Sequence, residues 1–254
     1  MGLDFSVCIE MYWREQPMDE RVRRVKALGY RAFEFWGWKN KDMDSLRSAW
    51  RETGLVCAAM CMEPNWCLTD DTIGDKDVLD GFGESVAAAK TLGCTRLICV
   101  PGLVVAGESW EMTRRRVLRR VRALARAAQD AGVVVVLEPL NPIVDHKGAW
   151  LTKMSEAADL ALEVGSDSVK ILDDLYHQQV TEGNLLANFS RHASLVGHVH
   201  CAGVPGRHEL IGGELDFRSI FGAIEQTSYS GYVGLEFAPT RDGDAGLKEA
   251  LVLM

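Results

Sequence analysis

The stretch Val133-Val134-Val135-Val136-Leu137-Glu138-Pro139-Leu140-Asn141 is an apolar run that ends in a carboxylate, a proline and a turn. A short continuous apolar run bounded by helix-breaking and strand-breaking residues is typical of a strand buried on both faces, as in parallel sheets. Glu138 at its end would be partly removed from water, where a carboxylate stays charged only beside a cation or strong hydrogen-bond donors. The stretch therefore predicts a buried strand that leads to a functional carboxylate.

Three later stretches repeat this pattern of an apolar strand with a polar end: Val169 to Asp174, Leu195 to His200 and Tyr232 to Phe237. The polar ends of the four strands are Glu138, Asp173 or Asp174, His200 and Glu236. Any one of these residues alone could cap a helix or be a buried polar side chain whose hydrogen bonds are made within the core. Four polar residues at equivalent positions, each at the end of a predicted strand, favour one metal site assembled from four strand ends.

Strand and helix patterns alternate along the chain. Strands are predicted near 5–9, 31–36, 55–60 and 95–102, followed by helices at 19–28, 43–53, 77–92 and 110–131. After the Val133 strand, helices are predicted at 154–164, 185–192, 217–225 and 246–251. Several helices end in a glycine, as in Ala131-Gly132, which is the usual left-handed cap before the next strand.

Strict alternation of strands and helices predicts a parallel sheet. Eight units within 254 residues predict an α/β fold of the closed (β/α)8 TIM-barrel type, as a single domain over residues 1–254. A doubly wound open sheet is the alternative. It is disfavoured because no Gly-x-Gly-x-x-Gly follows the first strand.

The composition excludes several classes of partner. The chain carries 28 Lys and Arg against 36 Asp and Glu, a formal net charge of -8, whereas nucleic acids and anionic membranes need a basic face. No apolar run approaches the length of a membrane span. Seven cysteines, mostly within apolar runs, indicate core thiols in a reducing compartment. We expect a cytoplasmic protein with a small-molecule substrate, and a homo-oligomer is compatible with the sequence.

Four motifs together resemble the hydroxypyruvate isomerase family, part of the wider xylose isomerase-like barrels that include the ketose 3-epimerases. They are Glu138-Pro139-Leu140-Asn141, Asp174-Leu175-Tyr176-His177, Gly197 to Ala202 followed by Val204-Pro205-Gly206-Arg207, and Gly231 to Phe237. The resemblance spans most of the chain and is strongest from Val133 onward. It implies a TIM barrel that isomerises or epimerises small hydroxycarbonyl compounds.

The resemblance also implies roles for six residues. Glu138, Asp174, His200 and Glu236 would bind a divalent ion, Glu138 and Glu236 would also be the acid/base pair, and His177 and Arg207 would contact substrate oxygens. Three hard oxygen ligands and one imidazole suit Mn2+ or Mg2+, with Co2+ or Zn2+ as alternatives.

The choice between Asp173 and Asp174 stays open. If Val169 and Ile171 lie on the inward face of their strand, alternation makes Asp173 point inward as well. The motif favours Asp174, and a kink at the strand end would reconcile the two. Asp173 is the reserve ligand.

The expected chemistry is proton transfer through a cis-enediolate, whose negative charge a divalent ion would stabilise. One carboxylate takes the proton from the carbon beside the carbonyl, and the other returns a proton. Return to the neighbouring carbon converts hydroxypyruvate to tartronate semialdehyde, and return on the opposite face epimerises a ketose. Hydroxypyruvate isomerases often carry Gln where this chain has His200, whereas the 3-epimerases carry His, so both substrates stay open.

Several alternatives remain at the level of single residues and of function. Arg207 would bind a substrate carboxylate, sugar hydroxyls or a surface carboxylate. Trp13, Trp36 and Trp66 wall the pocket or belong to the core, and Glu34 could reach the same pocket. A phosphodiesterase resembling endonuclease IV would need more than the six histidines present and a basic face. A non-catalytic sugar-binding protein on this fold is the third function considered.

Overall fold

In the computed structural model, which describes residues 2–253, the apolar run after Gly132 is a parallel strand from Val134 to Leu137. Eight strands alternate with helices: β1 (Asp4–Cys8), β2 (Ala32–Phe35), β3 (Val56–Cys61), β4 (Arg96–Cys99), β5 (Val134–Leu137), β6 (Val169–Asp174), β7 (Val196–Cys201) and β8 (Tyr232–Leu235). Each strand pairs in parallel with its neighbour in chain order, and β1 pairs with β8. The sheet is thus closed, and the prediction of a (β/α)8 barrel is confirmed.

Nine α-helices lie within residues 2–253: α1 (Met18–Ala27), α2 (Met43–Thr53), α3 (Asp75–Thr91), α4 (Trp110–Ala131), α5 (Met154–Val164), α6 (Leu175–Thr181), α7 (Leu185–His192), α8 (Phe217–Glu225) and α9 (Gly243–Ala250). The expectation of eight helices is wrong by one, because α6 begins directly after β6. α4 is typical of how the others form. Its Ser109 cap accepts from the Met112 N–H, and Gly132 ends it in the left-handed region at φ 71°.

Two apolar layers hold the barrel together. The larger lies between strands and helices and includes Val135 and Ile171. The smaller consists of strand residues only, among them Ile98, Val136 and Leu172, and fills part of the barrel interior. Because successive strand side chains point to opposite faces, Val136 and Leu172 identify the inward positions of β5 and β6.

The remaining expectations concern the whole chain. The single-domain prediction extends to Met1 and Met254, which lie outside the described residues. All seven cysteines are buried free thiols. Among residues 2–253, no helix combines the length and the apolar character that crossing a membrane requires.

Candidate metal centre and active site

The carboxyl ends of β5 to β8 bring four side chains together: Glu138, Asp174, His200 and Glu236. One candidate ligand atom from each lies within 4.8 Å of those of the others, and all four residues are buried. Glu138 directly follows β5, Glu236 directly follows β8, and Asp174 pairs with His200 across β6 and β7. The four residues singled out from the sequence therefore share one place at the mouth of the barrel.

Asp174, not Asp173, belongs to this group. Leu172 lies inside the barrel, so Asp174, two residues further on, points inward too. Val169 and Ile171 pack between strands and helices, so the assumption that they face inward is wrong. A parallel strand is buried on both faces, and its apolar residues alone do not reveal which face is inward.

Asp174 also begins α6. Its Oδ1 accepts from the backbone N–H of Tyr176 at 2.8 Å and of His177 at 3.1 Å, the hydrogen bonds of an N-cap. Its Oδ2 lies 3.4 Å from Arg207 Nη2 and 3.5 Å from His177 Nε2. The cap fixes one carboxylate oxygen and leaves the other directed into the group.

Glu236 is held by donors on several sides. Trp36 Nε1 and Arg207 Nη2 each donate to it at 2.6 Å, and His200 Nδ1 lies 3.1 Å away. Burial raises the pKa of Glu236, but Arg207 and His200 outweigh burial and hold the pKa well below its ordinary value. Glu236 is therefore ionised.

Glu138 has fewer partners. His200 Nδ1 lies 3.8 Å from its Oε1, and burial raises the pKa of Glu138 to about 6. Two carboxylates of one group thus have environments that shift their pKa values in opposite directions.

His200 connects this group to a second buried cluster beneath it. Its Nε2 lies 2.9 Å from Glu34 Oε1, while Glu34 Oε2 accepts from Ser6 Oγ and pairs with His198 Nε2, both at 2.8 Å. Burial raises the pKa of Glu34, but His200 and His198 outweigh it and hold the pKa at about 2. Glu34 is a fixed anion that holds the Nε2 side of His200.

Gly234 makes room for that contact. It lies in β8 opposite His200, and a Cβ there would overlap with Glu34 Oε1 and crowd the His200 ring. The close approach of Glu34 to His200 therefore depends on a glycine in the neighbouring strand.

His177 presents a defined N–H to the site. The Asn141 side-chain oxygen accepts from the N–H of Val144 and Asp145, so its amide nitrogen faces His177 Nδ1 at 2.7 Å and donates to it. Burial lowers the pKa of His177 to about 4, so the ring is neutral with its proton on Nε2. His177 is thus a hydrogen-bond donor toward the Asp174 side of the group.

A cavity of about 420 Å³ opens at this end of the barrel. The residues that line it include Glu138, His177, His200, Arg207 and Glu236 from the sequence prediction, together with Trp36, Gly37, Cys61, Glu63, Asn65, Trp66, Ile98, Val100, Leu140 and His146. Trp13 is instead a core residue, which donates to Asp244 at 2.9 Å. Of the three tryptophans that the sequence suggested, Trp36 and Trp66 therefore line the cavity and Trp13 does not.

Two lining residues have strained backbones. Trp66 has φ 63° and Arg207 φ 59°, in the left-handed region that bulky residues rarely adopt. Such outliers persist where the surrounding structure over-determines them, commonly at functional sites. Both lie on loops that border the cavity, one after β3 and one after β7.

Comparison with known families decides the relationship. A family model described as "Xylose isomerase-like TIM barrel" matches residues 22–254. The chain belongs to the xylose isomerase-like TIM-barrel family. Among curated relatives, a putative hydroxypyruvate isomerase of Danio rerio is 31% identical, over 97% of this chain and 94% of that protein. A 2-oxo-tetronate isomerase of Cupriavidus necator is 28% identical, over 96% of this chain and 95% of that protein.

A solved structure is also similar to this xylose isomerase-like barrel. The crystal structure titled AP endonuclease, family 2, from Brucella melitensis superposes with a TM-score of 0.90 and 25% identity, covering 96% of each chain. The proteins to which this chain is similar thus carry names that refer to different chemistries. A shared fold does not fix the reaction, which depends on the residues of the site itself.

The donor set of this xylose isomerase-like site fits a hard divalent ion. Three carboxylates and one imidazole converge, and oxygen-rich sets with one nitrogen suit Mn2+ or Mg2+. Burial lowers the pKa of His200, but Glu236 and Glu34 outweigh it and raise the pKa well above its ordinary value. The group therefore attracts positive charge at His200 Nδ1, the atom that faces the carboxylates.

Sequence reasoning missed several parts of this xylose isomerase-like site. His198 and Asn141 received no role, although His198 stands two positions before His200 and Asn141 closes the opening motif. From the sequence, Glu34 could be placed near the pocket but without a partner. The pattern Phe33-Glu34-Phe35, a carboxylate between apolar strand residues, already indicated a buried charge that needs one. Glu34 and His198 are far apart in sequence, so only the closed barrel reveals their contact.

Proposed function

We propose that this protein is a metal-dependent isomerase of a small hydroxycarbonyl compound, of the hydroxypyruvate isomerase type, that works through a cis-enediolate. The observation that carries the proposal is the convergence of three carboxylates and one imidazole within 4.8 Å at the cavity. The names of the similar curated isomerases add support.

The proposed ligands of a Mn2+ or Mg2+ ion are Glu138, Asp174, His200 and Glu236. When bound, such an ion supplies Lewis-acid stabilisation of negative charge on the substrate oxygens. The protein's own part is to fix the ligands. Asp174 is held as the cap of α6, and Glu34 holds His200 from the far side.

Glu138 and Glu236 are the proposed acid/base pair. They extend from β5 and β8, on either side of β6 and β7, and their oxygens lie 3.8 and 3.1 Å from His200 Nδ1. One carboxylate takes a proton from C3 of hydroxypyruvate, and the electron pair of that C–H bond forms the C2–C3 double bond of the enediolate. The other carboxylate, in its protonated form, gives a proton to C2. The hydroxyl proton passes from the oxygen on C3 to the oxygen on C2, which yields tartronate semialdehyde.

Arg207 and His177 are the proposed substrate-binding residues. Arg207 is fixed by Glu236 and Asp174 and lies over the Tyr176 ring at 5.5 Å, so its guanidinium stays at the edge of the group. The Nε2–H of His177 offers a neutral donor on the same side. Together they would orient the oxygens of the hydroxycarbonyl group.

A ketose 3-epimerase is the second candidate function. His200 favours the epimerase. Among the enzymes that this chain resembles, hydroxypyruvate isomerases often carry Gln at this position, whereas 3-epimerases carry His. A phosphodiesterase is less well supported, since the four-residue group contains a single imidazole and the chain carries a net charge of -8.

The test is solvent-deuterium exchange. Chelator-treated protein with added Mn2+ is incubated in D2O with hydroxypyruvate or with a ketose such as D-fructose, and label is located by NMR. We expect enzyme-dependent label from hydroxypyruvate, whereas label only at C3 of the ketose would select the epimerase. Glu236→Gln should abolish exchange, and Glu84→Gln, at an exposed glutamate paired with Lys39, should leave it unchanged. Absence of exchange from every compound would refute the proposal.

A further inference from the structure

We infer that Trp36 is a positioning residue, whose indole N–H holds one oxygen of Glu236 and so keeps the other oxygen among the proposed ligands. The inference rests on the proposed function, in which Glu236 is a ligand and one of the acid/base pair. Trp36 thus has a part in the reaction beyond forming a wall of the cavity.

The two oxygens of Glu236 have separate partners. Oε1 accepts from Trp36 Nε1 at 2.6 Å and from the weak thiol donor of Cys8 at 3.7 Å. Oε2 accepts from Arg207 Nη2 at 2.6 Å and lies 3.1 Å from His200 Nδ1, the ring nitrogen that faces the carboxylates. The indole therefore binds the oxygen other than the one beside His200, and it leaves that second oxygen to the proposed ligand group.

The segment that carries Trp36 is anchored on both sides. Trp36 follows directly after β2, and its backbone N–H donates to Glu10 Oε1 at 3.3 Å. Glu10 also pairs with Lys41 Nζ at 2.7 Å, and Lys41 donates to the Gly37 carbonyl at 2.5 Å. On the other side, Gly37 lies so close to the Glu63 carboxylate that a Cβ on Gly37 would overlap with it. The backbone that presents the indole is thus fixed by contacts of its own segment.

The indole restricts a motion that the other contacts of Glu236 leave open. The last torsion of a glutamate side chain is broad, so a carboxylate held through Oε2 alone can still rotate. A displacement of about 1 Å at a reacting group can cost roughly 10²-fold in rate. Because the hydrogen bond acts on Glu236 and not on the substrate, its loss should lower kcat and leave KM nearly unchanged.

The first experiment removes the indole N–H in Trp36→Phe, which keeps an aromatic ring at the cavity wall. Trp110→Phe is the matched control, because Trp110 is half exposed and its indole N–H takes part in none of the hydrogen bonds among the described residues. Lys41→Met is a second variant, which keeps the indole but removes the anchor of its segment. kcat and KM come from the Mn2+-supported exchange reaction, and melting temperatures show whether each variant is folded.

The second experiment needs neither a bound ion nor a substrate. In 15N–1H NMR of the metal-free protein, the indole N–H signal of Trp36 is the one that Trp36→Phe removes. Glu236→Gln should move this signal upfield, because the charged acceptor of a short hydrogen bond is lost. Glu84→Gln, at an exposed glutamate, should leave it in place.

We expect Trp36→Phe to lose roughly 10- to 100-fold in kcat, the range for a hydrogen bond to a charged group, with KM within about threefold of wild type. Lys41→Met should lose less in kcat, again with little change in KM, and Trp110→Phe should match wild type. If Trp36→Phe keeps kcat within about twofold, if the loss appears in KM instead, or if the indole signal does not respond to Glu236→Gln, the inference is overturned and the proposed function stands. Absence of exchange by wild type with every compound refutes the proposed function instead, and the indole signal still decides whether Trp36 holds Glu236.

Discussion

Replacing Glu34 with glutamine should weaken metal binding although Glu34 is not a proposed ligand. Its Oε1 lies 2.9 Å from His200 Nε2, and its Oε2 already accepts from Ser6 and pairs with His198. A glutamine that keeps the acceptor on the Ser6 side turns its NH2 toward His200 Nε2. The ring then loses the partner for its Nε2 proton, and the proton is favoured on Nδ1, the atom that has to be free of a proton to bind a metal.

The magnitude follows from the behaviour of such supporting carboxylates. Loss of the group that holds a ligating histidine typically costs 10- to 100-fold in metal affinity. At 1.4 kcal/mol per factor of ten, this corresponds to about 1.4 to 2.8 kcal/mol of binding free energy. Because Glu34 is only 1% exposed, solvent would not replace the lost acceptor.

The assay is calorimetric titration of chelator-treated protein with Mn2+ at neutral pH. Glu84→Gln, at an exposed residue, is the matched control and should bind as wild type does. Thermal unfolding of the metal-free proteins shows whether Glu34→Gln retains the fold. A folded Glu34→Gln variant with a Kd within twofold of wild type would refute the reasoning, since the contact would then not support the ligand.

Three further predictions follow from single contacts. Asp174→Ala and Asp174→Asn should both lose Mn2+ binding. In urea unfolding of the metal-free proteins, only the alanine variant should lose the α6 cap, which lowers its free energy of unfolding by about 1 kcal/mol. Equal stabilities of the two variants would contradict the role of Asp174 as a cap. Gly234→Ala should lower both melting temperature and Mn2+ affinity, because its Cβ overlaps with Glu34; wild-type values would contradict this. Burial raises the pKa of Glu209, but hydrogen bonds from backbone N–H groups and Thr240 outweigh it and hold the pKa below its ordinary value. Glu209 therefore stabilises the fold above its unfolded pKa of about 4.3, and this contribution is lost as the pH falls through the folded pKa. Glu209→Gln should be less stable than wild type at pH 7, with the difference shrinking toward pH 3 in urea unfolding; a constant difference would contradict the assignment.

The barrel was predictable because the strands are short apolar runs separated by helical spacing. Glu138 and Glu236 stood out since each is a carboxylate at the end of such a run. α6 was missed because it has only seven residues and starts at its own cap, Asp174, without an intervening loop. No apolar period of useful length marks it in the sequence.

The choice of Asp174 and the place of Glu34 required coordinates for different reasons. In β6 each face carries a buried apolar residue, Ile171 on one and Leu172 on the other, so the inward direction of Leu172 is visible only from its contact with other interior residues. The contact of Glu34 with His198 and His200 joins β2 to β7, and two strands, β8 and β1, separate these in the closed barrel order. Long-range polar contacts of this kind leave no periodic signal in a single sequence.

Anomalous X-ray diffraction at the manganese edge, from crystals saturated with Mn2+, tests most directly whether the four strand ends form one metal site. We expect one strong anomalous peak enclosed by Glu138, Asp174, His200 and Glu236. A peak on the other side of His200, between Glu34 and His198, or no peak at saturating Mn2+, would contradict it.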